Sequence, residues 1–457
     1  MIRGICVLLW GSLLFAGSLL WPTLAAPARP DPADFAAPLQ ATPPLPQRES
    51  RRGRSVRDPM TGEMAFQAPN AAAAIAAATG QRAAGCRQIR FGSDGFGWVA
   101  TGVAKVTATD NPVAARRLRR EARFQAFMDA RTRLNGGLRT LTPEAQQRIT
   151  ERLEQNDAIR LALINLAATD QERREQALAI LARGFVAYAV DEDADGQVIR
   201  VHLVTTPQTA VQLTRPIATA METASLREGL KQLQAEVAGG LIPLAGNRLI
   251  VVNATGELAL VGYAINLIGA HPDPAAQDKL RADAEKIATV RATEALSGLA
   301  AGDDAVWQNG LDEASRDEIR TAASGYEDTE PSARRFEQIR DLMLTAIKDD
   351  AGMQALREGR LPSAAMVKRF SGEDAVAIMI SYAPPVKKRP PPPPAASPVL
   401  PAPPPPASLP PPIAPAPTAP VNPPPAEPAP APATPANPPP AEPAPANPPP
   451  ANPPPAR

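Results

Sequence analysis

Ala100-Thr101-Gly102, then Asn111-Pro112, then Leu118, Arg119, Glu121, Ala122, Ala126, Ala130, Leu134 and Gly136 form a spaced pattern that returns later in the chain. The second occurrence reads Ala254-Thr255-Gly256, Asp273-Pro274, Leu280, Arg281, Asp283, Ala284, Ala288, Ala292, Leu296 and Gly298. Ala122 recurs as Ala284, and the other helix positions follow at the same displacement, 284 − 122 = 162 residues. Residues four apart lie on nearly one side of a helix, so each copy carries an alanine stripe. The run Trp98 to Thr107 is strand-like, with Ala100, Gly102 and Ala104 on one face and Val99, Thr101 and Val103 on the other. In the second copy Ala254 and Gly256 take the equivalent face. A small-residue face admits a close neighbour. Each helix is therefore expected to pack tightly across the strand before it, with Gly102 and Gly256 at the contact.

The helix ends are legible too. Asn111 and Asp273 offer N-cap oxygens, and Pro112 and Pro274 sit at the first helical position, where a missing N–H costs nothing. Gly136 and Gly298 are placed to close each helix with a left-handed residue. Residues 142–183 continue as helices, starting at Thr142-Pro143 and restarting at Thr169 or Asp170. Phe185 to Val190 and Val198 to Val204 then alternate as a hairpin. The later copy repeats the plan, with helices over Asp312–Ala323 and Pro331–Glu358 and a hairpin over Ala364–Phe370 and Ala375–Ser381. The reading is α+β, with two related β-α-α-β-β modules at 85–207 and 246–384. Residues 208–245 read as a helical bridge, with a helix from Ala218 to Val237.

The flanks differ in character. Residues 1–26 carry Arg3, an apolar run from Ile5 to Leu20 and Ala25-Ala26, the pattern of a signal peptide. No later stretch is long and apolar enough to span a bilayer, so no transmembrane helix is expected after cleavage. Residues 27–84 read as a disordered linker with a basic cluster, Arg48, Arg51, Arg52, Arg54 and Arg57. The alanine run Ala71 to Ala78 is marginal as an isolated helix. Of 56 prolines, 37 fall between 384 and 457, so residues 385–457 read as a disordered polyproline II spacer. At about 3.1 Å per residue such a tail would reach on the order of 200 Å. Its expected partner is an envelope protein or a cell-wall polymer.

The net charge of +1 gives no global attraction to nucleic acid, and none is expected as a partner. Cys86 is the only cysteine beyond the signal-like segment, which leaves a packed thiol or an intermolecular disulfide. No Gly-x-Ser-x-Gly, Walker loop, dinucleotide fingerprint or His-Glu-x-x-His occurs. His202 lies on a strand and His271 in a loop, neither with a second ligand at metal spacing. Asp303-Asp304 and Asp349-Asp350 fall in solvated helix ends or loops. The turn Asp191-x-Asp193-x-Asp195-Gly196 matches the first half of a calcium loop, with three carboxylates at alternate positions and a glycine for the sharp turn. Position 12 is His202 rather than glutamate, so the motif departs from the EF-hand; a polar hairpin turn is the other reading. Glu192 would be the additional carboxylate.

Taken together, Ala100-Thr101-Gly102 with Ala122, Ala126 and Ala130, and Ala254-Thr255-Gly256 with Ala284, Ala288 and Ala292, resemble exported bacterial envelope domains of the flagellar FlgT N-terminal and surface-lipoprotein type. The resemblance covers about half of the folded part, and the chain lacks the lipoproteins' lipid-attachment cysteine. It implies an envelope-associated assembly role and no catalytic residues. The expectation is an exported, non-catalytic envelope protein, periplasmic or extracellular. Two alternatives are a binding module holding calcium or a small ligand between its modules, and a hydrolase built from scattered carboxylates.

Overall fold

The computed structural model describes residues 53–385, apart from 253 and 327–329. The signal-like segment, Arg48 to Arg52 of the basic cluster, and the proline tail beyond Pro385 lie outside the described residues.

The fold is α+β, and its repeat is larger than the sequence suggests. The first repeat runs β1 (Arg54–Arg57), β2 (Met64–Ala68), α1 (Ala71–Thr79), β3 (Gly85–Phe91), β4 (Gly95–Lys105), α2 (Pro112–Arg139), α3 (Pro143–Leu153), α4 (Asp157–Leu166), α5 (Asp170–Arg183), β5 (Phe185–Glu192) and β6 (Val198–Thr205). After α6 (Pro207–Gln212), the second runs β7 (Leu213–Thr214), β8 (Ala220–Thr223), α7 (Leu226–Gly239), β9 (Ala245–Val252), β10 (Glu257–Leu267) and α8 (Pro274–Ala301). It continues through α9 (Ala305–Asn309), α10 (Glu313–Ala323), α11 (Glu330–Ala346), α12 (Ala351–Arg357), β11 (Met366–Ser371) and β12 (Ala375–Tyr382). The first sheet has the order β1-β2-β3-β4-β6-β5 and the second β7-β8-β9-β10-β12-β11. Position for position these are the same topology. In both, the second strand runs parallel to the third across a short helix, while the other pairings are antiparallel.

Two expected boundaries are thereby corrected together. The described part of the expected disordered linker (27–84) holds β1, β2 and α1, and the expected bridge (208–245) supplies β7, β8 and α7. These segments open their modules rather than connect them. The linker orders because Asp58, fully buried, accepts from the backbone N–H and hydroxyl of Thr61 and from Gln88 Nε2, and pairs with Arg90 at 3.2 Å. The alanine helix α1 is capped by Asn70, and Ala74, Ile75 and Ala78 pack on Ile89, Phe91, Val99 and Val204. Tertiary burial supplies what its length cannot.

Each sheet is covered on both faces. In the first, Trp98, Ala100 and Ala104 meet Ala122, Ala126 and Ala130 of α2, while Val99 faces α1. In the second, Leu258, Leu260 and Ala264 meet Ala284, Ala288 and Ala292 of α8, while Val261 and Tyr263 meet Leu233 and Val237 of α7. A Cβ on Gly102 would lie 2.0 Å from the Ala126 carbonyl oxygen and 2.2 Å from the Ala130 nitrogen, so glycine is required there. Gly256 does not repeat this contact. Ala254-Thr255-Gly256 lies in the β9–β10 turn, where Gly256 has φ +74° and open space around it. The matching contact is made by Gly262, whose Cβ would fall 2.1 Å from the Ala292 oxygen. The Ala-Thr-Gly identity between copies is a match of letters, not of position.

Both long helices span 28 residues and begin as expected, with Asn111 and Asp273 as caps. Their ends lie beyond Gly136 and Gly298: α2 runs to Arg139, and α8 ends at Gly302 with φ +74°. Gly298 instead makes room for the Trp307 ring. The expected helix Pro331–Glu358 is broken into α11 and α12, because Asp350 caps a new start. Cys86 packs against Gly137, and burial pushes its thiol up to about 12. Little thiolate is then present at neutral pH, which disfavours disulfide exchange.

Candidate ligand-binding cleft between the modules

The two modules are joined by arginines. Arg120, buried in α2, donates to the Ile242 carbonyl and pairs with Glu318 of α10. Glu318 also accepts the Leu244 N–H at 3.1 Å, so one carboxylate ties both modules at a single point. Arg116 donates to the carbonyls of Ile268 and Gly269 at 2.8 and 3.2 Å and pairs with Asp374 at 3.0 Å. Further along α2, Arg131 donates to the Ala322 and Ser324 carbonyls and lies over the Tyr326 ring at 4.2 Å. Burial lowers the pKa of its guanidinium from the ordinary value. Arg183 donates to the Pro216 and Tyr326 carbonyls, each at 3.0 Å. In return Arg215 donates to the Phe185 carbonyl at 2.6 Å, stacks 4.0 Å from the Phe185 ring and pairs with buried Glu236. A planar guanidinium with five donors is suited to such shared carbonyl sites.

Beside Arg120 the modules leave a cleft of about 450 Å³. Its floor is apolar, from Val237, Ile265, Leu267, Phe370 and Ala377. Its rim carries Arg116, Arg119, Arg120 and Arg123 from α2 facing Glu192, Glu373 and Asp374. Size and lining fit a small-molecule site. Arg123 holds Glu192 at 2.6 Å, and Arg116 holds Asp374. Arg119 stands 3.9 Å from Glu192 and 3.8 Å from Asp374, beyond hydrogen-bonding reach of either. Buried Arg120 Nε has no hydrogen-bond partner among the described residues. A larger hollow of about 810 Å³ lies against Arg131, Arg183 and Tyr326, but those two arginines already serve backbone carbonyls.

Asp191, Asp193 and Asp195 are each engaged within the protein. Asp193 accepts from Arg200 at 2.5 and 3.1 Å, and this hydrogen bond lowers the pKa of its carboxyl from the ordinary value. Asp191 meets His202 Nε2 at 3.0 Å, and Asp195 accepts the Gln197 N–H in its own turn. Glu192 is turned to Arg123. Among the described residues no group of three or more His, Cys, Asp or Glu side chains is arranged to hold a metal ion. Asp303 caps the backbone N–H of Ala305, while Asp304 accepts from Asn247 Nδ2 and Trp307 Nε1. Asp350 caps α12 and accepts the Tyr382 hydroxyl.

His202 joins an arrangement that the sequence does not announce. Its Nδ1 is 2.9 Å from Thr101 Oγ1 on the neighbouring strand, so Thr101, His202 and Asp191 form a hydroxyl–imidazole–carboxylate chain. The order is that of a nucleophilic triad. Thr101 and His202 are each only 1% exposed, however, so no substrate carbonyl can reach the hydroxyl. The chain satisfies buried polar groups across three strands.

The cleft arginines were missed by sequence reasoning, although a signal existed. Arg116, Arg120 and Arg123 recur at helical spacing beside the alanine stripe, and the second copy has Asp278, Ala282 and Glu285 in their places. No protein-family model and no curated protein matches the chain. A solved structure of a hypothetical protein from Francisella tularensis is similar at 12% identity, over 63% of this chain and 83% of that one, with a TM-score of 0.19. At that score the likeness carries no argument. No helix among the described residues is long and apolar enough to cross a membrane.

Proposed function

We propose that this chain is an exported, non-catalytic interaction protein of the cell envelope, a two-module platform carried with a proline-rich spacer. The observation that supports it most is the joining of two like modules by hydrogen bonds from Arg120, Arg131, Arg183 and Arg215 to backbone carbonyls across the seam. Export rests on the Arg3, Ile5–Leu20 and Ala25-Ala26 pattern, and the envelope role on the resemblance of the two alanine-striped copies to exported domains. The tail would reach an envelope protein or cell-wall polymer. Fractionation should place the mature protein in the periplasm or outside the cell. Purified protein should co-sediment with isolated cell-wall sacculi or envelope, and lose that property when 385–457 are deleted. A cytoplasmic protein would overturn the proposal.

The cleft favours a second reading, a module that binds a small ligand between its halves. Its calcium form lacks a converging ligand set, since Arg200, His202 and a backbone N–H engage Asp193, Asp191 and Asp195 respectively.

A further inference from the structure

We infer that the cleft between α2, α7 and the ends of β10, β11 and β12 binds an anionic amphiphile, one carboxylate or phosphate head on a short hydrocarbon body. The inference rests on the second reading above, ligand binding between the modules, and names its chemistry. The charge argument begins with what is already taken. Of the three rim acids, Glu192 and Asp374 are held by Arg123 and Arg116, so they are poor hosts for an incoming cation, and the four rim arginines outnumber the acids. Among the described residues Arg119 makes no hydrogen bond and has two ion pairs near 4 Å to hold it in place. A carboxylate or phosphate oxygen pair matches that fork in a bidentate way. Buried Arg120, whose Nε has no hydrogen-bond partner among the described residues, lines the same cleft and adds positive potential.

The body of the ligand follows from the floor. Val237, Ile265, Leu267, Phe370 and Ala377 offer no hydrogen-bonding side chain. A polar dianion would leave that floor facing water, and a neutral hydrocarbon would leave Arg119 unmatched. A head-and-chain anion satisfies both. The volume of about 450 Å³ suits a chain of roughly ten carbons rather than a two-chain lipid.

The test is calorimetry on the full mature chain with decanoate and decyl phosphate, below their aggregation limits. Decanol, inorganic phosphate and citrate serve as controls. Saturable one-to-one binding of the two anionic amphiphiles is expected, with decanol and inorganic phosphate much weaker. Arg119→Gln, at a side chain 44% exposed, should weaken binding about tenfold, the loss of one charged hydrogen-bonded pair. Ala238→Phe, which puts a ring into the cleft from its α7 lining without changing charge, should abolish it. Melting curves that match wild type would show both variants folded. Decanol binding as tightly as decanoate, or decanoate affinity unmoved by Arg119→Gln, would overturn the inference. Citrate saturating the cleft while decanoate does not would also overturn it, yet leave the ligand-binding reading standing. No binding by any probe would remove both.

Discussion

Helices α2 and α8 start alike, run for the same 28 residues and carry the same alanine stripe, yet only α2 carries a row of arginines against the other module. Where α2 has Arg116, Arg120, Arg123 and Arg131, α8 has Asp278, Ala282, Glu285 and Thr293. On α8, Ile287 and Val290 remain exposed instead. The contrast separates two requirements laid on one helix. The alanine side is dictated by the sheet beneath it, so both copies keep it. The arginine side is dictated by the neighbour, and only one of the two helices has that neighbour. The glycines show how far the copies can drift within the first requirement. Gly262 meets Ala292 and Leu296, one turn further along its helix than Gly102, which meets Ala126 and Ala130. The contact has slid by a turn without changing its nature.

The largest expected effect comes from removing the row that distinguishes α2. Arg120→Ala leaves Glu318 without its cation in a mostly buried site, and should destabilise by about 3–5 kcal/mol. Urea unfolding should show that loss, while Ala282→Ser at the matching place in α8 changes little. Equal loss at both positions would mean that the arginine is not a special feature of the interface. Next come the glycines. Gly102→Leu and Gly262→Leu should each cost about 1–3 kcal/mol or more by overpacking. Gly256→Leu should cost only about 1–2 kcal/mol, from its positive φ. Thermal melts that rank Gly256 worst would restore the letter-matched alignment. The smallest effect concerns the β5–β6 turn. Asp193 has its folded-state pKa lowered by Arg200, so its contribution is present above the usual carboxylate range, near 4, and is lost as pH falls through the lower folded value. Asp193→Asn should flatten the acid end of the stability–pH curve slightly, with little change at neutral pH.

What the sequence could reveal follows the range of the interactions. Helix starts were legible because caps are local: Asn111-Pro112, Asp273-Pro274, Thr142 and Thr169 all act where expected. The hairpins β5–β6 and β11–β12 were legible for the same reason. The opening strands were not. β1, β2, β7 and β8 have only two to five residues each, and β2 and β8 pair in parallel with strands beyond a helix. Short runs of that kind carry too little alternation to stand out from a linker. The Ala-Thr-Gly repeat misled because a turn and a strand can share three letters, whereas the close approach that requires glycine is a three-dimensional property. Of the cleft's lining only Glu192 was named, as an extra carboxylate for the neighbouring acidic turn, whose own aspartates serve Arg200, His202 and a backbone N–H. The arginines of α2 were not singled out, because a row of charge on a helix is usually a solvated face and the partners of Arg120 lie more than a hundred residues away.

The Arg120–Glu318 contact joins residues 198 positions apart. During synthesis, α2 therefore emerges with its most buried charge lacking its carboxylate until α10 has followed. A chain stopped at the end of the first module would hold a finished sheet and an unfinished outer wall. That wall would be a row of guanidinium groups open to any acidic surface nearby, which gives the cell a reason to deliver both halves together.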